Sequence, residues 1–107
     1  MIKFKLLFSF AKSEIPNLIA ISKLKTKQSG FKLLQVDTKE LEYGKILIVT
    51  SRKTGKAHDR NLIRRRIKEA FHTQKLYEKP VISILFVYKS ALALSYAQIK
   101  DFLFKNI

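Results

Sequence analysis

Eight of the seventeen residues from Arg52 to Lys68 are cationic: Arg52, Lys53, Lys56, Arg60, Arg64, Arg65, Arg66 and Lys68. Asp59 is the single acid among them, and this density is more than twice that of the whole chain, which has 22 Lys and Arg in 107 residues. Guanidinium groups present planar forks that make two parallel hydrogen bonds to a phosphate, and their weak hydration lowers the cost of contact. Asn61 adds an amide that both donates and accepts, suited to a base edge or a 2′-hydroxyl. A solvated charged face would balance its cations with acids one helical turn away, and only Asp59 and Glu69 are at hand for that. The chemistry of the stretch is therefore the binding of a polyanion.

A helix from about Asp59 to Gln74 has to carry these groups. At about 100° per residue, Asn61, Arg64, Arg65 and Lys68 share one arc about 100° wide, with Arg60 at its edge. Leu62, Ile63, Ile67, Ala70 and Phe71 fill the opposite half and dock the helix, while Arg66 falls within that apolar half and must extend past the core edge. The polar turn Ser51–Gly55 precedes the helix, with Gly55 free to adopt backbone shapes that other residues resist. Before the turn, Lys45–Thr50 is almost wholly apolar and partly β-branched, the pattern of a buried central strand. Phe31–Val36 alternates as a strand, Asp37–Gly44 is a polar turn, and Val81–Tyr88 is another buried strand. Ser13 is placed to cap a short first helix over Glu14–Ile21, with Pro16 in its first turn, and Ser95 to cap a last helix through Phe104. Helix, strands, helix, strand, helix implies an α/β or α+β domain, with a crossover unit in one sheet packed by helices.

The chain is long enough for one such domain, 1–107, burying about 65% of its unfolded surface. Its formal charge is +14, a self-repulsion that a nucleic acid would neutralise. A membrane partner is disfavoured, because no clean apolar stripe opposes the charge and no lipidation signal is present. Leu6, Leu7, Phe8 and Phe10 faintly imitate a signal peptide, but the patch is short, interrupted by Ser9, and followed by no small-residue cleavage site. With no cysteine, disulfides and thiolate metal sites are excluded; the expectation is a cytoplasmic protein. His58 and His72 stand fourteen residues apart without a third ligand at metal spacing, so no catalytic residue, metal site or protein-bound cofactor is expected. Helix-turn-helix DNA binding lacks its second helix at the required distance. A structural RNA-binding module, such as a ribosomal or assembly protein, shares the charge and layout and is the alternative reading.

The run Ser51-Arg52-Lys53-Thr54-Gly55-Lys56-Ala57-His58-Asp59-Arg60-Asn61-Leu62-Ile63-Arg64-Arg65-Arg66-Ile67-Lys68-Glu69 resembles the signature of the bacterial ribonuclease P protein, whose basic "RNR" helix follows a central strand and a Lys-x-Gly turn. The spacing of Lys53, Gly55, Ala57, Arg60-Asn61, Arg64-Arg65 and Lys68-Glu69 matches throughout, and weaker likeness covers most of the chain except the first dozen residues. The resemblance implies a four-stranded sheet packed by helices as a two-layer sandwich, in αβββαβα order, with a left-handed βαβ crossover around the signature helix. It further implies a non-catalytic subunit of an RNA-based endoribonuclease. Such a subunit binds the catalytic RNA and the 5′ leader of precursor tRNA during tRNA 5′-end maturation, while the RNA and its bound Mg2+ perform the hydrolysis. Carried over by position, Lys53, Arg60, Asn61, Arg64, Arg65 and Lys68 face RNA, and Arg52 and Lys56 join them by charge and proximity.

The sequence departs from the family pattern in three places. His58 stands where an apolar β-branched residue is usual, Arg66 where an aliphatic one is, and Lys68 where arginine is, which keeps the charge but loses the fork. The family's leader cleft is partly aromatic and is built by the first helix and an early strand. Its counterparts here are Ile15, Ile19 or Leu18, and Leu34, none of which stacks on a base; Phe31 is the aromatic candidate. Residues 1–12 are expected to form an irregular extension.

Overall fold

The computed structural model describes residues 4–37 and 41–107. The elements are α1 (Ile15–Ile21), β1 (Lys23–Gln28), β2 (Phe31–Asp37), β3 (Lys45–Val49), α2 (Ala57–Thr73), β4 (Val81–Val87) and α3 (Tyr96–Asn106), with short 3-10 turns at Phe4–Phe8, Leu76–Glu78 and Lys89–Ala93. The αβββαβα order is as expected. One four-stranded sheet runs β1-β2-β4-β3; β2 pairs antiparallel with β1 and β4, whereas β3 runs parallel to β4. Adjacent parallel strands need a crossover between them, and α2 supplies it.

Strand alternation splits the sheet into two faces. Phe31 and Leu33 of β2, Ile46 of β3, and Leu85 and Val87 of β4 point toward Ile63, Ile67, Ala70 and Phe71 of α2 and Ile99, Phe102 and Leu103 of α3. Leu34, Val36, Ile82 and Ile84 point the other way, where Leu18 and Ile19 of α1 cover part of them. The helices α2 and α3 are tied by Gln74, whose side-chain amide donates to the carbonyls of Ala70 and Lys100. Ser95 caps α3 with a full capping box, its hydroxyl accepting from the Gln98 N–H and the Gln98 side chain accepting from the Ser95 N–H.

Three expectations need correction, and one strand of the implied order gains its residues. First, β3 is an edge strand, not a central one; its apolar composition is explained by the N-terminal segment that packs against it, because an uncovered edge invites association. Second, residues 23–28 form β1, with nearly every side chain exposed. It joins β2 through a two-residue turn in which Ser29 (φ 56°) and Gly30 (φ 84°) both have positive φ, the backbone of a tight hairpin. A Cβ at Gly30 would lie 2.4 Å from the Ala91 backbone nitrogen, so both the angle and the close approach require glycine. Third, Ser13 does not cap α1. The chain enters this helix through a turn at residues 12–14, and the Glu14 carboxylate closes it by accepting from the Ala11 N–H at 3.0 Å. Fourth, residues 4–10 are ordered against the core: Leu7 is fully buried, and Phe8 lies 5.9 Å from Phe71, ring to ring. Residues 1–3 of the expected extension, and part of the expected Asp37–Gly44 turn, lie outside the described residues.

Candidate nucleic-acid interface

The turn before α2 is fixed from below. Thr54 is 2% exposed; its hydroxyl donates to the Val87 carbonyl at 2.8 Å and accepts from the Ser51 N–H at 3.1 Å, pinning the turn to the end of β4. Arg52, Lys53 and Lys56 project from this fixed turn into solvent. Lys56 occupies the N-cap of α2 without a side-chain hydrogen bond to the first turn. Gly55 is closely covered, since a Cβ there would meet a Leu92 methyl at 2.9 Å.

Along α2 the buried residues are Ile63, Ile67, Ala70 and Phe71, which sets the direction of the opposite face. Asn61, Arg64, Arg65 and Lys68 come together along one cavity of about 560 Å³, as their shared arc predicts. Arg60 is half-buried at the helix's first turn and lines no part of that cavity. Leu62, expected in the docked half, is instead half-exposed at its margin, because the core contact centres on Ile67 rather than on the middle of the apolar arc. Arg66 is half-buried beside Leu62, Ile63 and Leu92, extending past the core edge as its position requires. His58 is exposed.

The row is rich in uncompensated charge. The Arg64 guanidinium donates to the Thr50 hydroxyl and, at 3.4 Å, to the Asn61 amide oxygen, both neutral acceptors. These bonds aim the group without cancelling its charge, and they leave the Asn61 NH2 as the free end of its amide. The Lys68 ammonium stands 5.5 Å over the Phe8 ring. Among the described residues the one ion pair is Lys105 with Asp101, far from this row in sequence. Glu69 is the single carboxylate on the cavity wall, against three cations. Among the described residues no group of three His, Asp or Glu gathers at metal distance.

The residues assigned to a leader cleft do not all meet. Leu34 and Ile19 share the α1 side of the sheet, and Ile15 lies half-exposed on the same helix. Phe31 does not join them: it is fully buried on the opposite face, its ring 4.8 Å from that of Phe102. Strand parity dictates this, since Phe31 and Leu34 are an odd number of residues apart. Two aromatic residues that the sequence did not assign lie on the α1 side instead, Phe10 and Phe86, both half-exposed. Each carries a cation, Lys45 at 4.2 Å from the Phe10 centroid and Lys32 at 5.7 Å from that of Phe86. Phe86 pairs with Lys32 across β2 and β4, a signal readable only once the strand register is known.

Comparison with known proteins identifies this arrangement. The sequence profile of the Ribonuclease P family matches residues 11–107. The chain belongs to that family. Among curated protein sequences no match is found. Solved ribonuclease P proteins share its fold. That of Staphylococcus aureus, a mutant described as defective in mRNA degradation, superposes with a TM-score of 0.82 at 22% identity, covering 95% of this chain and 86% of its own. The Thermotoga maritima protein gives 0.77 at 18% identity, covering 92% of each chain. The same protein in complex with 1-(4-fluorophenyl)-2-thiourea gives 0.74 at 22% identity, over 86% of this chain and 89% of that one. Membership makes this a bacterial-type ribonuclease P protein subunit with an RNA partner. Among the described residues no helix is long and apolar enough to cross a membrane.

Proposed function

We propose that the chain binds the catalytic RNA of ribonuclease P through α2 and the turn before it, and that it holds the 5′ leader of precursor tRNA on the α1 side of the sheet. The observation that carries the first part is the cation row, in which Arg64 is aimed by neutral partners and no member forms an ion pair among the described residues: Arg52, Lys53, Lys56, Arg60, Arg64, Arg65 and Lys68, with Asn61 among them. Phosphates of a folded RNA complete such a surface, and the counterions they release drive the association. The leader role is supported by Phe10 and Phe86 beside Lys45 and Lys32, since a single strand is held by ring faces for its bases and cations for its backbone. Leu34 and Ile19 belong to the same apolar cluster as these two rings.

Hydrolysis falls to the partner RNA and its Mg2+; the protein supplies affinity and position in the cytoplasm, where the precursors are processed. Because mature tRNA lacks the leader, the holoenzyme's preference for precursor over mature tRNA isolates that contact. Replacing Phe86→Ala should reduce this preference by roughly 5- to 150-fold, the loss of about one stacked base, and leave mature tRNA binding unchanged. An unaltered preference would place the leader elsewhere.

A further inference from the structure

The family match begins at residue 11, yet the segment before it is built into the cation row. Leu7 is fully buried, Phe8 packs on Phe71, and Phe4 stands at the mouth of the cavity lined by Asn61, Arg64, Arg65 and Lys68. Phe4 is 44% exposed, but it is held in place. Its ring lies 4.8 Å from that of Phe8 and 5.0 Å edge-on from that of His72, which in turn stacks on Tyr77. A large aromatic surface is thus fixed, half open to solvent, beside three cations and one amide.

We propose that this cavity takes one unpaired nucleotide of RNA, its base stacked on Phe4 and its phosphate held by Arg65 and Lys68. This rests on the reading that α2 faces RNA, and it deepens that reading by naming what the N-terminal segment adds. The chemistry selects the occupant. Three cations against the single carboxylate of Glu69 favour an anionic ligand, and an aromatic ring 44% exposed at the same cavity favours a planar one. A continuous duplex offers phosphates but keeps its bases stacked within the helix, whereas a bulged or looped nucleotide offers both. The volume, about 560 Å³, falls among those of ordinary ligand sites, about 300–1,000 Å³. Arg64 is already engaged by Thr50 and Asn61, which leaves the Asn61 NH2 to meet a base edge. The ring is fixed by its aromatic neighbours before anything binds, so little further ordering is needed on association.

The test uses the full chain carrying Phe4→Trp, whose indole reports stacking, titrated with three RNAs: a hairpin with one bulged adenosine, the same hairpin fully paired, and the ribonuclease P RNA of the source organism. The indole emission should be quenched by the bulged hairpin and the ribonuclease P RNA, and left unchanged by the paired hairpin. Phe4→Leu keeps an anchoring hydrophobe without the ring face; it should bind the bulged hairpin roughly 5- to 150-fold more weakly, the value of one base–aromatic stack, with the salt slope unchanged. Unchanged emission at saturation with the bulged hairpin, equal quenching by the paired one, or a Phe4→Leu affinity within about twofold of the parent would each overturn the proposal. Failure of the bulged hairpin to bind would do the same, as would its equal displacement by polyglutamate, which would mark the cavity as an acidic-peptide site. Quenching by the bulged hairpin but not by ribonuclease P RNA would leave the pocket standing and count against the partner proposed above.

Discussion

Replacing Leu7→Ala tests whether the segment before the family match is part of the folded core. Leu7 is fully buried against the α2 side of the sheet, in a cluster with Phe71 and Ile46. Truncating a buried leucine removes its transfer free energy and leaves a cavity, about 2–5 kcal/mol in well-packed cores. Here Leu7 sits in a short 3-10 turn joined to α1 by irregular backbone, a segment that can relax or undock, which caps the loss at the free energy of docking, so the lower half of that range applies. At about 4–8 °C per kcal/mol for a domain near this size, a loss of ~2–3 kcal/mol lowers the melting temperature by roughly 10–20 °C. Thermal unfolding followed by far-ultraviolet circular dichroism measures it. A segment merely appended to the domain would lose less than about 0.5 kcal/mol, the usual effect of a surface substitution. That outcome would refute both the packing argument for β3's apolar edge and the fixed placement of Phe4.

Arg65→Ala and Arg66→Ala form a matched pair, because one side chain points along the cation row and its neighbour lies against Leu62 and Leu92. The slope of log K against log salt for RNA binding should flatten by about 0.7–0.9 for Arg65→Ala and stay near the parent value for Arg66→Ala; equal slopes would erase the distinction. Thr54→Val conserves shape but removes the hydroxyl that bonds Val87 and Ser51. It should cost about 1–3 kcal/mol, seen as a melting temperature lower by roughly 5–20 °C, and a shift under about 2 °C would show that the turn does not depend on this bond.

The basic helix was legible because two independent patterns coincide in it: an apolar set at helical spacing that ends in Phe71, and cations that, Arg66 apart, lie on the other side. The Ser95 cap of α3 was equally plain; that Gln98, three residues on, completes a capping box came from the structure. β1 was not legible. Its sequence, KLKTKQ, has no apolar face because both faces meet solvent, and only pairing with β2 makes it a strand. The edge position of β3 was hidden for a related reason: strand order is a tertiary property, and the apolar run reflects packing on both faces, Ile46 and Ile48 with Leu7 and Phe8 on one and Leu47 and Val49 on the α1 side, rather than a central place. The parity of β2 did separate Phe31 from Leu34, but which of the two faces α1 covers is not written in that alternation. Phe86 escaped for want of the register that sets it across from Lys32, and Phe10 because it lies outside the helices and strands.

The central claim is that this chain serves a catalytic RNA and does no chemistry itself, and reconstitution tests it most directly. Precursor tRNA cleavage by the ribonuclease P RNA of the source organism should be measured across a magnesium series with and without the protein. The protein is expected to shift efficient processing to lower magnesium, because its cation row replaces part of the charge neutralisation that the ions provide, and the protein alone should leave the precursor intact. An RNA whose magnesium dependence is unmoved by the protein, or cleavage by the protein without RNA, would contradict the account.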